Sequence, residues 1–155
     1  MDIVQTLTNA ISLFYEETDV ARFLAFPESL GEGFTVPDPQ SGIDDRGLRF
    51  DAPGAHDKSI AAILFQTRPN TTNVSWSVRL NANPHLVLET LDNGGPRSWC
   101  KLAAAGQLLP ANNEIIFAVS ANDEGVGSMT FSDVLVLYTS DRLTIQKQRQ
   151  LVNRP

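Results

Sequence analysis

The sequence predicts a mainly β protein, an antiparallel β-sandwich of about eight strands with an amphipathic helical element at its N-terminus. Three observations carry that expectation. Runs rich in β-branched and aromatic residues recur from Ser59 onward at the spacing of a sandwich or barrel. Turn-forming clusters of Asn, Asp, Gly and Pro separate them. Only residues 2–17 show a clear helical period, with Ile3, Val4, Leu7, Ala10, Ile11 and Phe14 on one side.

Asp2 is a suitable N-cap for that helix. Val20, Phe23 and Leu24 extend the pattern into a second short helix, which Pro27 ends by disfavouring helical geometry before it. The chain thus divides into an N-terminal helical element, 1–27, and a sandwich domain, 28–155. Residues 28–58 are loop-rich, with short extended runs at Gly33–Val36 and Leu48–Phe50. Ser59–Gln66 is apolar on both faces, which predicts a central strand. Thr72–Leu80 alternates: Val74, Trp76, Val78 and Leu80 face inward, while Ser75, Ser77 and Arg79 face out. His85–Leu91 follows a turn at Asn81–Pro84, with Leu86 and Leu88 on one side. Arg97–Gly106 fits a short strand or a single helical turn. Asn113–Ala121 and Gly127–Tyr138 predict two long neighbouring strands, and Arg142–Lys147 a last edge strand. A carboxylate within the apolar run 127–138 requires hydrogen bonds, so Ser132-Asp133 predicts a β-bulge in which Asp133 accepts backbone N–H groups.

Charge narrows the functions. Residues 1–57 carry eleven acidic and three basic side chains, the remainder seven and nine, for a net charge of −6. No basic stripe with interleaved aromatics occurs, which argues against a nucleic-acid partner. No apolar run is long enough to span a bilayer, and the chain as given carries no secretory signal pattern, so no membrane partner is expected. The single Cys100 rules out an intramolecular disulfide and a cysteine-rich zinc site, and is expected to be a small buried apolar residue. Asp38, Asp44 and Asp45 gather carboxylates in one turn, as calcium loops do, but without EF-hand spacing. His56 and His85 stand in exposed turn contexts. Glu89 and Glu114 read as outward surface charges. With no GxSxG, HExxH, P-loop or GxGxxG, no catalytic residue, metal ligand or cofactor is assigned, and a non-enzymatic protein is expected.

Gly106–Val119, a leucine pair, a short turn, asparagines and then an apolar strand, is similar to a recurring strand entry in jelly-roll domains of the galactose-binding and carbohydrate-binding-module type. Met129–Tyr138, with its polar Ser-Asp step, resembles their late strand. The resemblance implies a jelly roll. It also implies glycan or partner binding, although fold alone does not settle function. The N-terminal element departs from that pattern.

For binding, the most suggestive cluster is Asp92, Asn93, Arg97 and Trp99. A carboxylate, an amide, a guanidinium and an indole on one loop suit a polar ligand with a stacking face. The first functional expectation is a module recognising a glycan or protein partner there. The second is a self-assembling structural subunit, a particle, filament or virion component, whose N-terminal helix and edge strands make homo-oligomer contacts.

Overall fold

Alternation along the chain is translated directly into two packed sheets. The computed structural model describes residues 20–91, 95–122 and 125–141. Ten strands occur in them: β1 (Val20–Ala25), β2 (Phe34–Val36), β3 (Asp45–Phe50), β4 (Ala61–Pro69), β5 (Val74–Leu80), β6 (His85–Leu91), β7 (Arg97–Ala103), β8 (Asn113–Asn122), β9 (Gly125–Val126) and β10 (Met129–Ser140). The first sheet has the order β1-β10-β4-β7, with β2 also on β10. The second has the order β3-β8-β5-β6, with β9 also on β8. All pairings are antiparallel.

Val74, Trp76, Val78 and Leu80 all point into the core, as their alternation requires. Rings from both sheets meet there: Phe117 of β8 lies 4.8 Å from Phe131 of β10, and Phe65 of β4 lies 6.0 Å from Trp76. The long strands β8 and β10 are therefore not side-by-side partners. They belong to opposite sheets and face each other across the core, because β10 spends both edges on β4 and on β1 with β2.

Val20, Phe23 and Leu24 lie on a strand, not on a second helix. Residues 21–25 pair in register with 139–135 of β10, and Leu24 packs on the core while Ala21, Phe23 and Ala25 face out. A period of two satisfies a two-faced sheet where the helical period would leave backbone groups at the β10 edge unpaired. Residues 20–25 thus belong to the sandwich. The expected helix at 2–17 and edge strand at 142–147 lie outside the described residues.

The bulge in β10 is present, as a register slip between Ser132 and Leu135 with Asp133 at φ 50°. Its freed N–H is accepted differently from expectation. Val134 N donates to Ser29 Oγ (2.9 Å), and the buried Ser29 hydroxyl donates on to Phe26 O (2.8 Å). Among the described residues the Asp133 carboxylate receives only a 3.4 Å contact from Ser132 Oγ. A serine on the Pro27–Ser29 3-10 turn, brought over the strand by tertiary packing, does the work assigned to the aspartate. Ser29→Ala should strand the Val134 N–H and lower stability by about 1–3 kcal/mol. Urea denaturation would read this, and an unchanged midpoint would contradict it.

Candidate functional site

The structure describes two of the four loop residues. Asp92 and Asn93 lie outside the described residues, and Arg97 is exposed at the start of β7. Trp99 is half-buried on the inner side of β7, opposite Phe65 of β4. Its indole N–H donates to Thr67 Oγ1 (2.8 Å). The ring lies near-parallel to Phe65 at 6.4 Å and edge-on to Trp76 at 5.1 Å. Lys101 Nζ sits 5.0 Å from the ring centroid and 3.9 Å from Glu89 Oε1 of β6. Trp99 therefore plugs the rim between β6 and β7, and its hydrogen-bond donor is consumed within the fold.

The other expected side chains are dispersed. Inward placement of Trp99, Lys101 and Ala103 turns Cys100 outward, so the thiol is exposed, not buried. Strand parity decides this, and a cysteine's own preference does not. Glu114 pairs with Arg49 (3.2 Å) and Glu89 with Lys101, so the two glutamates serve separate ion pairs. His56 is half-buried, its Nδ1 accepting from Lys58 N (3.2 Å), while His85 is exposed at the start of β6. Asp38 Oδ1 accepts the Gln40 and Ser41 backbone N–H groups, both at 2.8 Å. No group of three or more metal-ligating side chains occurs among the described residues.

Those N–H groups, Ser41's first, hold the Asp38 carboxyl below the usual aspartate range. A depressed folded value means that the turn's contribution is complete above the unfolded titration and is lost as pH falls through the folded one. In an NMR titration Asp38 should protonate at lower pH than exposed aspartates without such donors. An ordinary midpoint would contradict the turn geometry.

One cleft, about 590 Å³, runs along the outer side of β10 and β4 past the bulge, between Glu32, Thr35, Gln66, Arg68, Ser132 and Asp133. Gly33 forms its wall at φ 74°, pressed so closely on β10 that any Cβ would strike the Phe131 carbonyl. Another, about 520 Å³, lies by Arg49 and Glu114. Neither contains a histidine, a cysteine or an aligned nucleophile and base.

The most distinctive surface is the rest of that same outer side. Cross-strand register places Phe23, Leu137, Ala62 and Leu102 in one row across β1, β10, β4 and β7. A second row runs Ala25, Leu135, Leu64 and Cys100, and Ile60 lies at the margin beside Thr139. Phe23 is 72% exposed, Leu102 68%, Ile60 54% and Leu137 41%. No charged side chain stands in either row. The bulge divides this apolar block from the polar cleft beyond it. The outer side of the second sheet differs: it carries Ser75 bonded to Thr90 (2.9 Å), Ser77, Arg79 and the Arg49–Glu114 pair, which interrupt the half-buried Ile116 and Ala118 and the exposed Leu88. Isolated apolar residues are ordinary on surfaces, whereas a contiguous apolar block marks an interaction site.

Sequence reasoning passed over this face although its signal was visible. Runs such as Ile60–Phe65 and Val134–Tyr138, apolar in both parities, imply covered strands. One side of them is covered by the second sheet, and the other is covered by none of the described residues.

The outer strands, by contrast, resist lateral pairing. Each carries a charge on its inward parity: Arg22 on β1 opposite Tyr138, Arg46 on β3 opposite Phe117, Lys101 on β7 opposite Ile63, and Glu89 on β6 opposite Trp76. Adding a strand of another chain at any of these edges would bury a charge, a recognised guard against edge-to-edge association.

No family model matches this sequence. No curated protein matches it either. A solved structure described as "Structure of infectious bursal disease virus Gx strain" is similar in backbone, with a TM-score of 0.43 and 11% sequence identity. The match covers 79% of this chain and 32% of that one, so this chain spans about a third of that neighbour's length. A likeness this distant carries no functional argument.

Proposed function

We propose that this chain is a self-associating structural subunit built on a jelly roll. The single observation that carries the reading is the contiguous, uncharged apolar block on the outer side of the first sheet, exposed on β1, β10, β4 and β7. The jelly-roll reading is supported by strand order. Setting aside the short β2 and β9, the eight remaining strands in chain order pair first-eighth-third-sixth and second-seventh-fourth-fifth. That is the order of two interleaved Greek keys.

Burying such a block against a neighbour gains roughly 25 cal/mol per Å² of apolar surface, whereas leaving it in water gains nothing. The edges contribute guards, so the contacts of this subunit are those of a face and not of added strands. Recognition of a glycan through Asp92, Asn93, Arg97 and Trp99 has weaker support, because Trp99 would have to leave Thr67 and Phe65 to offer its ring.

Multi-angle light scattering of the full chain over a range of concentrations tests the reading. A mass above that of one chain, rising with concentration, is expected. The mass of a single chain at every concentration would end it.

A further inference from the structure

Resting on the self-association just proposed, we infer that the assembly is a closed pair: two copies meet face to face through the outer side of the first sheet, and growth stops there. The partner is a second copy because the surface is complementary to itself. Its rows, Phe23-Leu137-Ala62-Leu102 and Ala25-Leu135-Leu64-Cys100, hold no charge that a two-fold axis would bring against its own image. A strongly charged partner would find nothing to pair with.

The area argues for a modest pair. Strands about 4.8 Å apart and a rise of about 3.3 Å per residue make the block on the order of 400 Å² in plan. Side chains standing on it expose more than the plan area. Two such blocks bury on the order of 800 Å² or somewhat more, in the range of weak, transient interfaces below about 1,200 Å². The pair is therefore concentration-dependent.

Closure follows from the count of adhesive surfaces. Filaments and shells need at least two complementary patches per copy, and a single self-complementary patch is used up by one partner. Among the described residues the second sheet's outer side is polar, and the four outer strands carry inward-parity charges. Among these residues the other exposed apolar side chains, such as Leu30, Ile43, Leu109 and Val126, stand outside the two rows and form no second such row. Cys100, exposed in the single chain, falls within the covered surface and reports on it.

Sedimentation equilibrium of the full chain should give a ceiling of twice the 17.0 kDa of one chain. The rate of Cys100 modification by a soluble thiol reagent should fall as protein concentration rises. Leu102→Asp and Phe23→Asp, both at exposed positions and checked for folding by thermal melting, should raise the dissociation constant on the order of 100-fold or more by burying an unpaired charge. Leu88→Asp, on the other sheet, should leave it unchanged. A wild-type chain that is monomeric throughout overturns both the pair and the self-association, whether its own N-terminal residues, a lipid or another protein then occupies the face. A mass beyond two chains overturns closure while self-association stands. A pair indifferent to Leu102→Asp and Phe23→Asp overturns the assigned surface.

Discussion

Replacing Trp76 with alanine should remove about 3–5 kcal/mol of stability, a large part of the 5–15 kcal/mol that holds most domains together. The indole is completely buried at the centre of the ring cluster, edge-on to Phe65 at 6.0 Å and to Trp99 at 5.1 Å, with Phe131 at 5.8 Å. Its loss leaves a cavity that two sheets pinned by backbone hydrogen bonds cannot close. Trp76→Phe should cost far less. The Trp76 indole N–H has no hydrogen-bond partner among the described residues, so phenylalanine removes a buried polar group while keeping most of the volume. Urea denaturation separates the two: a large fall in midpoint for alanine and a small one for phenylalanine. Equal losses would show that ring packing, and not cavity size, dominates here.

The second large effect is expected at Asn113. This residue is almost wholly buried, yet both ends of its amide are hydrogen-bonded. Nδ2 donates to Leu109 O (2.7 Å), while Oδ1 accepts from Leu109 N (2.8 Å) and from Asn81 Nδ2 (3.1 Å). Asn81, itself at φ 54°, also donates to Gln107 O (2.9 Å) and accepts from Glu114 N (2.8 Å). Two amides thereby pin the 104–112 loop to the ends of β5 and β8. Asn113→Leu preserves volume but strands the Leu109 N–H and C=O and one Asn81 N–H, so a loss of about 3 kcal/mol or more is expected. Amide exchange at Leu109 should accelerate with it. A leucine variant of undiminished stability, with Leu109 still protected, would mean that water replaces the asparagine without penalty.

Both predictions concern residues of the same strand alphabet, but they differ in how far sequence could anticipate them. Trp76 stands in an alternating run where Ser75, Ser77 and Arg79 can only face outward, so its burial was legible from period two alone. Asn113 looked like an ordinary strand opening. Its partners lie four residues back and in a loop more than thirty residues away in sequence, and no local pattern announces an amide bridge. Ser29 is the same case: the bulge at Ser132-Asp133 was legible because a carboxylate interrupted an apolar run, but the acceptor came from a turn on the far side of the chain. Val20–Ala25 shows the converse. Its six residues fit helical and strand periods alike, and the free edge of β10 chose between them.

The candidate surface divides in the same manner. Alternation, turn residues and the two-faced apolar runs by themselves determined a sandwich of antiparallel strands, its core tryptophan and the absence of familiar catalytic motifs, because each of these depends on neighbours within a few residues. Which strands share a sheet, that β8 and β10 oppose each other, that Trp99 turns inward and Cys100 outward, and that Phe23, Leu137, Ala62 and Leu102 line up across four strands were decided only by the tertiary structure. Cross-strand register joins residues far apart in the chain, and it is set by the packing of the whole core, so no shorter stretch contains it.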